Sequence, residues 1–269
     1  MTNIAVLGGG KMGEALLSGL LKAGQPAEAL CFTERYPRRA SEITDRFGIR
    51  HLELAGATSV AELLVIAVKP QDVEPLLGEL AGSLRPETLV VSMCAGLPTA
   101  LFERRLPVGT SVVRAMPNTS MLVGEAMTAL SPGQHVTDAQ LDQVDRVFGT
   151  VGRVVRVPEA QQDAVTALSG SGPAYFFYLV EAMIEAGVAL GMPRALASEL
   201  IVQSALGAAR MLRETGEHPV VLREAVTSPG GTTAMALREL ERLGTRAALA
   251  SAIEAARDRS LDLGTSYAR

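Results

Sequence analysis

No lysine occurs after position 69; the three in the chain are Lys11, Lys22 and Lys69. That gap excludes a second half in which a lysine protonates a hydroxyl or keto oxygen. A Tyr-x-x-x-Lys pair is missing too, because Tyr175 and Tyr178 are followed four residues on by Leu179 and Ala182. Of the three histidines only His218 lies beyond residue 158, next to Pro219 at an expected helix start, where a capping or loop role is favoured over catalysis. Cysteine is scarce as well. Cys31 and Cys94 sit in apolar, strand-like runs without C-x-x-C spacing or a nearby His, which suits packing thiols in a reducing compartment. No His, Cys or carboxylate spacing resembles a metal site, so no metal is expected.

Net charge is −4 and no Lys or Arg run forms a stripe, which argues against nucleic acid and against a polybasic membrane anchor. The expected partner is a small molecule. Met1 leads directly into a strand pattern with no basic n-region, apolar h-region or cleavage site, so a cytoplasmic protein is expected. The most apolar long stretch, residues 173–192, carries Glu181 and Glu185 near its middle. Ionised carboxylates are costly in hydrocarbon, so this reads as a helix buried in protein and not as a membrane span.

What is present divides in two. A chain of 269 residues suits two domains of ordinary size. Up to residue 158, β-rich runs alternate with helical patterns, the mark of an α/β Rossmann domain with a mostly parallel sheet. Strands are expected at 4–7, 29–33, 63–68, 89–93 and 112–115, with 126–130 and 153–157 as extensions. Their continuous apolar character suits strands covered on both faces. From 159 to 269 the pattern is all-helical, with helices expected at 159–168, 173–190, 193–214, 219–226, 232–242 and 245–262. Pro173 and Pro193 fit first-turn positions, and Gly191 and Gly216 fit helix stops. The apolar faces of this half are expected to finish their burial against a second copy, giving a homodimer or higher homo-oligomer.

The first strand runs into Gly8-Gly9-Gly10-Lys11-Met12-Gly13 and then an amphipathic helix. This fits G-x-G-x-x-G in context: Gly8 for the tight turn, Gly10 for approach of a pyrophosphate, Gly13 for packing of helix on strand. Glu34 follows Gly13 by 21 residues, where a carboxylate accepts hydrogen bonds from an unphosphorylated ribose and favours NADH. Arg35, Arg38 and Arg39 come next, and guanidinium groups suit the 2′-phosphate of NADPH; a solvated charge cluster explains Arg38 and Arg39 as well. The segments Ala67-Val68-Lys69-Pro70 and Ala115-Met116-Pro117-Asn118 fall at the carboxyl ends of strands, where open α/β sheets bind ligands, although each proline also serves simply to end a strand.

Ser228-Pro229-Gly230-Gly231-Thr232-Thr233 opens a helical pattern and forms a candidate anion site. Glycines let backbone approach a ligand, and a helix start leaves N–H groups unpaired with the positive dipole end behind them. A small carboxylate is the natural guest. The plain alternative is a helix cap with a tight turn in front. Without a His, Lys or metal cluster, the economical substrate is a cyclic imine, whose nitrogen carries its own proton and whose carbon accepts hydride readily. The Thr233 hydroxyl would bond the ring nitrogen, while Ser228 and the backbone of Gly230 and Gly231 hold the carboxylate.

Together these motifs resemble those of the pyrroline-5-carboxylate reductase family across essentially the whole chain. The resemblance rests on residues 8–16, 67–70, 114–118, 168–175 and 225–233. It implies an NAD(P)H-dependent oxidoreductase of proline biosynthesis that reduces 1-pyrroline-5-carboxylate to L-proline by hydride transfer to the C5 imine carbon. It further implies that Gly8, Gly10, Lys11, Met12 and Gly13 meet the pyrophosphate, and that Ala67, Lys69 and Pro70 flank the coenzyme with Met116 and Asn118 near the nicotinamide. Ser228, Gly231, Thr232 and Thr233 would bind the substrate. Ser171, Gly172 and Pro173 would line the same pocket, or else cap and open the long helix. Where family members that prefer NADPH often carry Ser, Asn or Thr with a basic residue, this chain has Thr33-Glu34-Arg35. NADPH is the coenzyme expected, with NADH its competitor. The rivals to this reading are another cyclic-imine reductase on the same scaffold and a non-catalytic NAD(P)H-sensing regulator.

Overall fold

The computed structural model describes residues 2–266; positions 1 and 267–269, which the expected domains include, lie outside them. Seven strands form where apolar runs are expected: β1 (Ile4–Leu7), β2 (Leu30–Thr33), β4 (Leu63–Ile66), β5 (Leu89–Ser92), β6 (Val112–Met116), β7 (Ala126–Pro132) and β8 (Gly152–Arg156). An eighth, β3 (Arg50–His51), was not expected, because two polar residues carry no hydrophobic pattern. They form one sheet in the order β3-β2-β1-β4-β5-β6-β7-β8, with β6 and β7 antiparallel and every other pairing parallel.

Period-2 alternation sends side chains to two cores. Ile4 and Val6 of β1 pack with Leu16, Leu17 and Leu20 of α1 (Lys11–Lys22), Ile43 of α2 (Pro37–Phe47) and Val144 and Phe148 of α6 (Asp138–Gly149). Ala5 and Leu7 face the other way, onto Ala57 of α3 (Leu54–Val60), Leu77 and Leu80 of α4 (Val73–Leu80) and Leu101 and Phe102 of α5 (Thr99–Arg105). Both faces are covered, which is why β1 and β4 are buried along their full length. Each fully buried Leu, Ile or Phe contributes about 1.5–3 kcal/mol relative to exposure.

Beyond Pro158 the chain turns helical as expected, but the compact units do not divide there. One unit holds the described residues up to Gly172 together with those from Ala255 on; the other is Pro173–Glu254. The first helical stretch stays with the sheet because its polar groups are committed to it. Gln162 in α7 (Gln162–Val165) is fully buried and donates from Nε2 to the Ser131 hydroxyl at 2.9 Å and the Ala129 carbonyl at 3.3 Å. Asp163 meets the buried Arg114 of β6 at 3.3 Å and accepts from the Ser260 hydroxyl at 2.6 Å, which draws the end of α12 (Thr245–Ser266) into the same unit.

The single helix expected at 159–168 is also corrected. It is a 3-10 turn (Glu159–Gln161), then α7, then a π-helical turn (Thr166–Gly170), followed after Ser171 by α8 (Gly172–Ala189). Ser171 has φ −84° and ψ −17°, and its N–H donates to the Thr166 carbonyl five residues back at 2.8 Å. Ser171 is therefore a bend between the two helical segments, without the extended geometry of an N-cap, and α8 opens at Gly172 with Pro173 in its first turn, as expected.

The second unit carries most of α8, then α9 (Arg194–Thr215), α10 (Pro219–Ala225), α11 (Thr232–Arg242) and the first part of α12. Gly191 (φ +91°) and Gly216 (φ +67°) adopt the left-handed conformation after α8 and α9, as stops should. His218 caps α10, its Nδ1 accepting the Val220 N–H at 3.3 Å, which is the role expected for it. Among the described residues of this unit only Ala197 is buried, while Phe176, Phe177 and Tyr178 are 67%, 69% and 72% exposed. No helix among the described residues is long and apolar enough to cross a membrane.

Candidate functional site

Strand order reverses between β1 and β4: the chain leaves β1 toward one face of the sheet and β4 toward the other. Such a switch point opens a crevice at the carboxyl edge, where dinucleotides bind. The glycine loop lies at this edge. Gly8 has φ +109°, its N–H donates to the Thr33 carbonyl at 3.0 Å, and a Cβ there would stand 2.9 Å from the Ala67 carbonyl oxygen. A Cβ on Gly13 would come 2.0 Å from the Gly8 oxygen. Gly10 is the extended N-cap of α1, and a Cβ there would meet nothing within 4 Å. The loop is thus closed where helix meets strand and open where a ligand would approach. The first-turn N–H groups at Lys11, Met12 and Gly13 have no intrahelical carbonyl to pair with. These residues fit a pyrophosphate.

At the end of β2 the structure joins Thr33, Glu34 and Arg35 to that loop. Both oxygens of Glu34 accept backbone N–H groups, Oε2 from Gly9 at 3.0 Å and Oε1 from Tyr36 at 2.9 Å. Arg39, on α2, donates from Nε to the Gly9 carbonyl at 2.8 Å and pairs with the buried carboxylate of Glu14. That hydrogen bond to Glu14 is the main cause of the raised Arg39 pKa. Gly9 and Glu14 are contact points of this loop that sequence reasoning did not single out. Their partners lie 25 residues away in each case, so no local pattern signals them.

Ala67 continues from β4 toward the same edge, its N–H donating to the Leu7 carbonyl at 2.8 Å. Lys69 is exposed, and Pro70 opens a 3-10 turn (Pro70–Asp72) before α4. The Val68 carbonyl accepts the Cys94 thiol at 3.4 Å; burial pushes that thiol up to about 12, so it is a packing group and no nucleophile at neutral pH. Both cysteines are buried and unpaired.

Met116 at the end of β6 and Asn118 just beyond it meet the π-helical turn. A Cβ on Gly170 would stand 2.5 Å from Met116 Cε, and Asn118 Nδ2 donates to the Ser169 carbonyl at 3.2 Å. The bond has a clear cause. Four residues beyond Ser169 comes Pro173, which has no N–H to offer, and Asn118 satisfies the carbonyl instead. Pro117 between them is buried. Ser171 and Gly172 thus adjoin the segment that Met116 and Asn118 touch. Among the described residues, no group of three His, Cys, Asp or Glu is arranged to hold a metal ion.

The other expected site residues, Pro173 and 228–233, belong to the second unit. Gly230 has φ +69°, and the Gly231 N–H closes a turn onto the Ser228 carbonyl at 3.0 Å. Gly231 is the extended N-cap of α11, without a side-chain cap. No Ser or Asp oxygen therefore consumes the first-turn N–H groups, as it would in an ordinary helix start. Ser228 and Thr232 are exposed and Thr233 half-buried. The result is an anion-competent helix start flanked by three hydroxyls.

Comparison with known proteins agrees with both halves. The family described as pyrroline-5-carboxylate reductase dimerisation matches residues 159–263, and the family described as NADP oxidoreductase, coenzyme F420-dependent, matches residues 3–96. The chain is 47% identical to the pyrroline-5-carboxylate reductase of Mycobacterium tuberculosis, covering 98% of this chain and 97% of the relative. The solved structure of a pyrroline-5-carboxylate reductase from Coxiella burnetii superposes with a TM-score of 0.89 at 36% identity, covering 98% of each chain. That of Plasmodium falciparum pyrroline carboxylate reductase, which has NADP bound, gives 0.90 at 28% identity with the same coverage.

Proposed function

As the chain belongs to the pyrroline-5-carboxylate reductase family, we propose that its two units divide the work of that reaction. The protein is an NAD(P)H-dependent oxidoreductase that reduces 1-pyrroline-5-carboxylate to L-proline. The reduced nicotinamide supplies a hydride for the C5 imine carbon, and the reading needs no metal.

The residues that hold the dinucleotide are Gly8, Gly10, Lys11, Met12 and Gly13 at the pyrophosphate, with Thr33, Glu34 and Arg35 at the adenosine ribose. Ala67, Val68, Lys69 and Pro70 flank it, and Met116, Pro117 and Asn118 lie toward the nicotinamide. The substrate carboxylate is held by the Ser228 hydroxyl and the first-turn N–H groups of Thr232 and Thr233, with Gly230 and Gly231 leaving the backbone open to it and the α11 dipole favouring an anion. The Thr233 hydroxyl bonds the ring nitrogen and fixes which carbon is presented. Ser171, Gly172 and Pro173 line the substrate pocket. The protein has little to do beyond orientation, because a protonated imine is already an electrophile.

A homodimer is part of the proposal. A unit whose described residues bury only Ala197 has no core of its own, and a second copy offering the same apolar helices would supply one. Two unpaired buried cysteines suit the reducing cytoplasm.

The observation that carries the reading is the open N-terminus of α11, with a glycine cap and hydroxyls on either side. Its test is Thr233→Ala. Loss of a hydrogen bond to the reacting group is expected to lower kcat/KM for 1-pyrroline-5-carboxylate about 10²-fold. Coenzyme dissociation constants should stay within about twofold. Loss of coenzyme affinity in the same proportion would refute the division of labour. Assays with the six-membered homologue and with pyrroline-2-carboxylate distinguish the substrate from its near analogues.

A further inference from the structure

The three arginines after β2 made NADPH the expected coenzyme, yet the structure leaves them poorly placed to serve it. Arg39 has every guanidinium nitrogen engaged: Nε on the Gly9 carbonyl at 2.8 Å, one terminal nitrogen on Glu14 and the other on Glu42 at 3.3 Å. Glu14 is itself anchored, buried in the first turn of α1 and bridged also by Arg46 at 2.7 Å. Releasing Arg39 would leave one oxygen of that buried carboxylate without its cation, with Arg46 alone remaining on the other, which is costly. Arg38 is 94% exposed with a single contact to Glu42, and Arg35 is 70% exposed, directed to Asp72 and the Tyr36 ring.

Glu34, by contrast, is fixed. The Gly9 and Tyr36 N–H groups hold its two oxygens, and the ring of His51, tilted against Phe32, sets Nε2 3.3 Å from the Glu34 nitrogen and 3.1 Å from its carbonyl oxygen. The backbone is held from β3, and the side chain by the glycine loop and by the N–H two residues on. Each carboxylate oxygen has two lone-pair directions, so a Glu34 that accepts one N–H per oxygen can still accept a ribose hydroxyl on each. A 2′-phosphate offers a charge of about −2 and no donor at neutral pH, and it would be brought to a carboxylate that cannot swing away.

We infer that Glu34, locked by Gly9 and Tyr36 while Glu14 withholds Arg39, makes this reductase select NADH over NADPH. The inference rests on the coenzyme crevice proposed above and replaces the sequence-based preference for NADPH. Gly9 is the centre of the device. Its N–H and its carbonyl are both taken by side chains of the adjoining strand and helix, so the loop is shaped before any dinucleotide arrives.

The test is calorimetric titration of the full-length protein with NAD+ and with NADP+, beside the rate of 1-pyrroline-5-carboxylate reduction with each reduced coenzyme. NAD+ is expected to bind at least about tenfold more tightly than NADP+, a ratio that like-charge repulsion at close range readily supplies. Glu34→Gln, which keeps the shape and removes the charge, should bring the two dissociation constants within about threefold. Equal or tighter binding of NADP+ by the wild-type protein overturns the inference, as does an unchanged ratio in Glu34→Gln. If the variant does not fold, the wild-type ratio alone decides. Selective NAD+ binding without turnover of the imine would leave the inference standing and remove the proposed function; turnover that prefers NADPH would do the reverse.

Discussion

Gly13→Ala is expected to weaken coenzyme binding about 100-fold, equivalent to ~2.7 kcal/mol, while the sheet still forms. The added Cβ would stand 2.0 Å from the Gly8 carbonyl oxygen and 3.3 Å from Val6 Cγ1. The nearer clash is with backbone, so no side chain can rotate out of the way. Either α1 moves off the sheet or the Gly8 turn opens. Gly8 is held on two sides, by the Thr33 carbonyl and by its closeness to Ala67, so movement there spreads to the ends of β2 and β4. The pyrophosphate would lose the geometry of the loop and the first-turn N–H groups together. Overpacking of this kind costs about 1–3 kcal/mol in stability as well. Calorimetric titration with oxidised coenzyme, checked by circular dichroism, measures both effects. Binding within a factor of two of wild type would show that the loop is not the pyrophosphate site.

Phe177→Glu is expected to dissociate the proposed homodimer and lower the melting temperature of the helical unit. For a monomer, a side chain 69% exposed could be replaced with an effect of about ±0.5 kcal/mol or less. In a two-fold interface the same residue is lost twice, and Phe truncations at buried sites cost about 3–5 kcal/mol each before the penalty for an unpaired carboxylate is added. The prediction therefore separates the two cases by orders of magnitude in association constant. Sedimentation equilibrium of the variant should show a single chain where the wild type shows at least two. An unchanged oligomer would mean that this aromatic cluster, with Phe176 and Tyr178 beside it, faces solvent in the assembled protein.

The elements legible in the sequence are those whose physics is local. β4 is apolar throughout because it is buried on both faces, and its run of Leu63 to Ile66 shows as much. The helix stops at Gly191 and Gly216 and the cap at His218 follow from backbone chemistry within two or three residues. Features set by distant partners were not legible. Ser171 followed by Pro173 reads as a helix start, and α8 does begin at Gly172, but the π-helical turn before it and the Asn118 bond to the Ser169 carbonyl have no local signal. Glu14 reads as an ordinary first-turn carboxylate until Arg39 and Arg46 arrive from α2. The arginine cluster was visible as charge; the commitment of Arg39 to Glu14 and Gly9 needed the fold. The tie of Gln162 and Asp163 to the sheet was hidden for the same reason, since their partners lie on strands that precede them by more than 30 residues.

A crystal structure of the protein with L-proline and oxidised coenzyme bound tests the assignment of the two sites most directly. The expected result is the proline carboxylate against the backbone N–H groups at Thr232 and Thr233, with the ring nitrogen on the Thr233 hydroxyl and the pyrophosphate on the Gly8 to Gly13 loop. A carboxylate held elsewhere, with the α11 N-terminus facing only solvent, would contradict it.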